Sequence, residues 1–174
     1  MQKNSLEKNG LVERPLRKAL DPFDAKILDL IQKNNRLSTE KIADKVGLSP
    51  SAVQRRIKQM RKDGIIHAEV AVVTPEAAGR MIMSIVGVTI DKERPLARAL
   101  KEFRDLMLAS PEVMQVYDVT GESDFIVIVS SRDMLDYEQV SRRLFMENPN
   151  VRRYKSSLVI RRIKYGMTIP IEIE

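Results

Sequence analysis

Three residues, Gly47, Leu48 and Ser49, separate two stretches of helical periodicity. Upstream, Ile42, Ala43 and Val46 repeat at helical spacing behind Ser38, whose hydroxyl suits a helix N-cap. Downstream, Val53, Ile57 and Met60 repeat behind Ser49-Pro50. Ser49 can cap the orphan amides of that first turn, and Pro50 sits where its missing N–H has no partner to lose. Gly47 supplies a left-handed stop, and Leu48 the apolar contact that accompanies it. A connection this short forces a sharp angle between the two helices and leaves the second on the outside. This is helix-turn-helix geometry.

The outer helix has an unusual face. Ser51, Gln54, Arg55, Arg56, Lys58, Arg61 and Lys62 surround its apolar stripe, and no acid interrupts them before Asp63-Gly64. A basic face on a helix is often only solvated. Set behind this corner, it reads as a helix that enters a DNA groove. On that reading Ser51, Gln54 and Arg55 reach base edges, while Arg56, Lys58, Arg61 and Lys62 hold phosphates. A further helix precedes the pair. Asp21-Pro22 opens it, Phe23, Ile27, Leu28, Leu30 and Ile31 form its stripe, and Asn34-Asn35 ends it. Residues 1–19 are polar and of mixed charge, and read as a flexible arm.

Composition narrows the function classes. The chain has 174 residues, with 43% hydrophobic and 31% charged, as in a soluble protein of one large or two small domains. A net charge of +6 and a pI near 9.6 favour an acidic partner such as nucleic acid. With no cysteine there is no disulfide framework and no thiolate zinc site, and His67 alone makes no metal site. No apolar run spans a bilayer and no secretory leader is visible, so the cytoplasm is the default location. Neither a nucleophile elbow nor a phosphate-binding glycine loop occurs, and Asp118, Glu122 and Asp124 read as a solvated hairpin tip. No enzyme and no cofactor are expected.

Residues 65–74 are rich in β-branched side chains and read as an extended strand linking two domains, closed by Pro75 and Gly79. Beyond them the rhythm changes. Strands are expected over 81–90, 113–120, 125–130 and 151–163. Helical stripes are expected through Leu96, Ala99, Leu100, Phe103, Leu106 and Met107, and through Met134, Tyr137, Val140 and Leu144. The order β-α-β-β-α-β is a ferredoxin-like pattern. The fold class is therefore α+β: a helix-turn-helix domain over 20–66, a linker over 67–79 and a ferredoxin-like domain over 80–174. Both helices of that domain cover one face of the sheet. The first strand is apolar in both registers, so the other face needs a partner, and a second copy of the chain is the simplest one. A dimer would set two recognition helices on half-sites ~34 Å apart. Near the C-terminus Arg152, Arg153, Lys155, Arg161, Arg162 and Lys164 form a dense cationic cluster. It reads first as an edge that resists strand-to-strand aggregation, and second as a surface for wrapped DNA.

Leu20-Asp21, Asp24, Ile27-Leu28, Asn34, Arg36-Leu37-Ser38, Ile42-Ala43, the run Val46 to Ser51, Val53, Arg56 and Asp63-Gly64-Ile65-Ile66 resemble the opening domain of the Lrp/AsnC family. These are the feast/famine transcriptional regulators of bacteria and archaea, and the resemblance extends through everything after the N-terminal arm. It implies a winged helix-turn-helix domain that binds double-stranded DNA, and a ferredoxin-like domain that dimerises, builds tetramers or octamers and senses an amino acid. Taken as residues alone, Gly121-Glu122-Ser123-Asp124 is more simply a tight hairpin turn. The resemblance makes it an effector turn, because Gly121 and Asp124 match the family's Gly-x-x-Asp signature. Met134 matches another position linked to effector response, and Ser157 falls on the last strand near the same site. Ser123, Ser156 and Ser157 depart from the bulkier or different residues usual there, which leaves the ligand's identity open. Two other readings stay open as well: a ligand-independent DNA-packaging protein of the same fold, and an amino-acid-binding regulatory subunit of an enzyme.

Overall fold

The computed structural model describes residues 20–164 and 166–171; the expected N-terminal arm lies outside them. Five α-helices and four strands follow the expected order. They are α1 (Pro22–Lys33), α2 (Thr39–Val46), α3 (Pro50–Lys62), β1 (Ile82–Ile90), α4 (Leu96–Ala109), β2 (Val113–Asp118), β3 (Phe125–Ser131), α5 (Met134–Ser141) and β4 (Val151–Leu158). The chain divides into two compact units between Val70 and Ala71, within the stretch 67–79 read as the linker. Residues 166–171 also return to the first unit, away from the domain expected to hold them. Gln32 anchors this returning segment: its amide donates to the Ile169 carbonyl at 3.2 Å and accepts from the Ile169 N–H at 2.9 Å.

In the first unit the caps work as read. Asp21, Ser38 and Ser49 each accept a first-turn backbone N–H with their side chains. Gly47 adopts φ 74°, and the Gly47 and Leu48 amides both donate to the Ala43 carbonyl. Ile27, Leu28, Ile42, Ala43, Val46, Val53 and Met60 form the core. Phe23 departs from its expected place in that stripe: it is 37% exposed.

The second unit is a four-stranded sheet in the order β2-β3-β1-β4, with every neighbouring pair antiparallel. The core lies on one face, where Val86, Val88, Ile90, Phe125, Val127 and Val129 meet Ala99, Phe103 and Met107 of α4 and Val140, Leu144 and Phe145. The Phe103 and Phe125 rings pack 4.7 Å apart between centroids.

Three expectations change. The stretch 65–74 forms no strand: among the described residues no ladder partner pairs with it, and Val70, Val72 and Val73 are exposed. β-branched residues suit a pleated surface but cannot make one without a neighbour. The last strand stops at Leu158 rather than Ile163, because β1 runs out opposite it: Val159 N–H to the Met83 carbonyl, at 2.8 Å, is the final bond. The last helix ends at Ser141 and continues as a π-helical turn, Arg142–Met146. That wider turn buries two successive side chains, Leu144 and Phe145, which a regular helix would point apart.

One buried carboxylate ties the start of α5 to the strands before it. Asp136 is 8% exposed and accepts from the Arg132 N–H at 2.9 Å, from the Arg132 guanidinium at 2.7 Å and from Arg80 at 3.4 Å. The Arg132 side chain, then its backbone amide, holds the Asp136 carboxyl below its ordinary 3.8. A lowered folded-state value means stability that is present above the ordinary value and lost as pH falls through the folded one. Asp136→Asn is expected to lower the stability of this unit at neutral pH by about 1–3 kcal/mol, the cost of removing charge-assisted bonds. In pH-jump unfolding the variant is expected to lose less stability below pH 3.8 than the wild type; equal acid sensitivity in both would exclude this role for Asp136.

Candidate nucleic-acid interface and effector turn

Helix α3 is positioned by its buried stripe. Val53 and Met60 are fully buried and Ile57 partly so, which aims the opposite side of the helix at solvent. Ser49, Ser51, Gln54, Arg55, Lys58, Arg61 and Lys62 are all exposed. Ser49 is occupied as the N-cap, its hydroxyl also 3.1 Å from that of Ser51. Gln54, Arg55, Lys58 and Lys62 meet no carboxylate at ion-pair distance among the described residues, and so present their polar ends outward.

Two of the expected phosphate ligands are already engaged. The Arg56 guanidinium donates to Asp24 at 2.9 Å, lies 3.3 Å from Asp21, and rests over the Phe23 ring at 5.6 Å from its centroid. It forms a strut between α3 and the start of α1, so its guanidinium is engaged within the unit rather than turned outward. The phase of the helix explains why: Arg56 falls three residues after Val53 and four before Met60, on the inward stripe. That phase was readable from spacing, and Asp21 and Asp24 supplied the matching charge. Arg61 is held too, by a two-point pair with Glu69 at 2.9 and 2.8 Å, both side chains about half exposed.

The expected effector residues do not converge within one chain. The turn Gly121–Asp124 joins β2 to β3, with Gly121 at φ 120°. It folds back onto β1. Ser123 Oγ stands 2.7 Å from where a Cβ on Gly87 would be, so a side chain at 87 would make the Ser123 hydroxyl turn aside. Thr89 Oγ1 donates to the Glu122 carbonyl at 3.4 Å. Asp124 Oδ2 accepts the Ile90 N–H at 2.8 Å, beside the register shift between Thr89 and Ile90. The Asp124 carboxylate therefore serves the sheet first, because it satisfies an amide that the irregular ladder leaves over. Met134, 54% exposed, lies at the other end of β3, roughly 20 Å away at about 3.3 Å per residue. Ser157 faces out from mid-β4 opposite Ile85, on the side of the sheet without helices. A hollow of about 370 Å³ lies in the first unit, bordered by Ala25, Lys26, Asp29, Leu30, Lys45, Val46 and Ile171, and none of the expected effector residues lines it.

Both halves match known families. Residues 20–67 match the winged helix-turn-helix DNA-binding family, and residues 84–169 match the Lrp/AsnC ligand binding domain. An HTH-type transcriptional regulator of Sinorhizobium fredii is 46% identical over 88% of this chain and 90% of its own. The chain belongs to the Lrp/AsnC family of transcriptional regulators. Among its Lrp/AsnC relatives, the leucine-responsive regulatory protein of Haemophilus influenzae is 29% identical over 88% of this chain and 91% of its own. A transcriptional regulator of Neisseria meningitidis, solved as its L-Met complex, superposes with a TM-score of 0.80 at 31% identity, over 87% of this chain and 96% of that one. The chain is thus an Lrp/AsnC-type DNA-binding regulator with a ligand-binding domain.

If Arg56 is a strut, Arg56→Ala should act on stability. The expected loss is about 1–3 kcal/mol, as for hydrogen bonds to charged groups. The ranking of DNA sequences bound by the folded variant should be unchanged. A variant as heat-stable as the wild type but altered in sequence preference would return Arg56 to the DNA face.

Proposed function

We propose that this regulator binds specific DNA sequences by laying α3 in the major groove, as a dimer, and that its second unit senses an amino acid or related metabolite. The observation that carries the first part is the division of cations on α3. Arg56 and Arg61 are matched to carboxylates, while Arg55, Lys58 and Lys62 are exposed with none at ion-pair distance among the described residues. Ser51, Gln54 and Arg55 occupy the N-terminal half of the helix, the part that reaches base edges in helix-turn-helix complexes. Lys58 and Lys62 follow as phosphate contacts. Arg61 joins them only by leaving Glu69.

The dimer rests on the helix-free sheet face. Met83 and Ile85 of β1, Ile126 and Ile128 of β3 and Tyr117 of β2 share it, with Ile85 41% and Tyr117 49% exposed. A patch of this kind favours a second copy, and a two-fold axis would match two half-sites in the operator. The effector reading rests on the Gly121–Asp124 signature and on the ligand in the name of the Neisseria relative. Because turn, Met134 and Ser157 lie apart in one chain, a site using all three needs residues from another subunit. The relatives are named as regulators, and we read this chain likewise as a cytoplasmic binding protein rather than an enzyme.

Selection of duplexes from a random pool, with and without an amino-acid mixture, tests the whole reading. A consensus with two-fold symmetry is expected, and its affinity should change with the mixture. Arg55→Ala should cost about 1–3 kcal/mol of discrimination at one base position. Lys62→Ala should weaken all sequences alike and reduce the salt slope by about one. Equal changes of preference in both variants would refute this division of labour. In sedimentation the wild type should run as a dimer or larger, and Ile85→Lys should run as a monomer; a monomeric wild type would overturn the sheet-face dimer.

A further inference from the structure

Charge in the second unit is divided by position. Residues 71–150 carry nine Lys or Arg against 13 Asp or Glu. Residues 151–164 carry six cations and no acid. The arginines of the first group are almost all spent within the unit. Arg80 and Arg132 meet Asp136, Arg98 meets Glu102, Arg142 meets Glu138 and Arg143 meets Glu112. Arg104 meets Asp118, and Arg94 donates to Asn150. In the second group, among the described residues, Arg162 alone meets a carboxylate, Glu76 at 2.9 Å. Arg152, Arg153, Lys155, Arg161 and Lys164 are exposed, with no carboxylate at ion-pair distance among the described residues.

These cations lie along β4 and the segment after it, and β4 is an edge of the sheet. A charge on an edge strand resists pairing only along that strand, and Arg161 and Lys164 lie beyond the end of β4 at Leu158. Edge protection does not explain five unmatched cations on a unit whose remaining residues are net acidic. Such segregation costs mutual repulsion, which a polyanion relieves. Arg153 and Lys155 face the helix-free side, beside Thr89 and Gly87. Burying unmatched cations against a second copy would be costly, so they belong at the rim of any self-association, open to solvent. The chain is a DNA-binding regulator, so duplex DNA is the polyanion it meets.

We infer that the β4 edge is a second DNA-contact surface, separate from α3, that holds the backbone of DNA outside the operator. It reads no sequence, because its exposed Arg and Lys side chains offer charge without a frame that fixes them on base edges. It adds affinity only when the duplex extends beyond the site taken by α3.

The test compares full-length wild type with the triple variant Arg152→Gln, Arg153→Gln, Lys155→Gln, with folding checked by circular dichroism and thermal melting. The probes are a duplex of about 25 base pairs selected by the wild type, and the same site centred in about 100 base pairs. On the long duplex the variant should bind at least about tenfold more weakly near 100 mM salt, with a salt slope lower by about 0.9 for each phosphate it no longer neutralises. On the short duplex affinity and slope should match wild type. Wild-type behaviour on the long duplex overturns the inference, as do equal losses on both lengths, which would mean damage to the reading of the operator. Arg55→Ala is the control that weakens binding to both duplexes. If it does so while the triple variant changes nothing, the second surface is wrong and the role of α3 stands; if the wild type selects no duplex at all, it is the role of α3 that fails.

Discussion

Gly47 sits at φ 74°, ψ 37°, in the left-handed region where a side chain would be strained. The orientation of α3 depends on this. Two amides, those of Gly47 and Leu48, close on the Ala43 carbonyl and end α2 within one residue. Ser49 then restarts the helix by accepting the Ala52 N–H. Between stop and start the backbone has no slack, so the angle of α3 is fixed by local bonds before any side chain packs. Val53 and Met60 then need only to meet Ile27, Ile42 and Val46 for the core to close. Once that phase is set, the identity of the outward residues follows from 3.6-residue periodicity alone.

The same periodicity sorts the arginines of α3. A helix buries roughly one face, and a long cation that falls on that face must find an acid or move the helix. Arg56 finds two, at the N-terminus of α1, where Asp21 and Asp24 also favour the positive end of the α1 dipole. One guanidinium thus serves a cap, a first-turn acid and an aromatic ring together. Its planar fork and its weak hydration suit it to that task better than a lysine would. The cost is that its charge is spent within the unit.

Caps, stops and the order of strands were legible because each depends on residues adjacent in sequence. Asp21, Ser38, Ser49, Gly47 and Gly64 announce helix ends whatever the tertiary fold. What was not legible depends on partners distant in sequence. The β-branched run at Val70, Val72 and Val73 has strand chemistry but no neighbour to pair with, and β4 ends where Met83 offers its last carbonyl. The π-helical turn at Arg142–Met146 arises from the need to bury both Leu144 and Phe145 against the sheet, a demand that helical spacing does not encode. At the turn after β2, Gly121 and Asp124 were visible as a motif. The purpose of the carboxylate became clear only beside the Ile90 amide that the shifted β1–β4 ladder leaves unmatched.

That turn shows how one set of residues can hold a sheet together and, on the effector reading proposed above, still face a ligand. Asp124 spends one oxygen on Ile90, and its own amide on the Val88 carbonyl. Ser123 fills the space that Gly87 leaves bare. The backbone around them is therefore rigid before anything binds, which lowers the ordering cost of recognition. Gly121 and Glu122 are exposed, and Gly121 has open space on its Cβ side. A recognition element built this way does not form a pocket by itself. On the effector reading proposed above, it presents a stiff edge whose selectivity is set by whatever closes against it, and a change at Ser123 would also disturb its packing against Gly87.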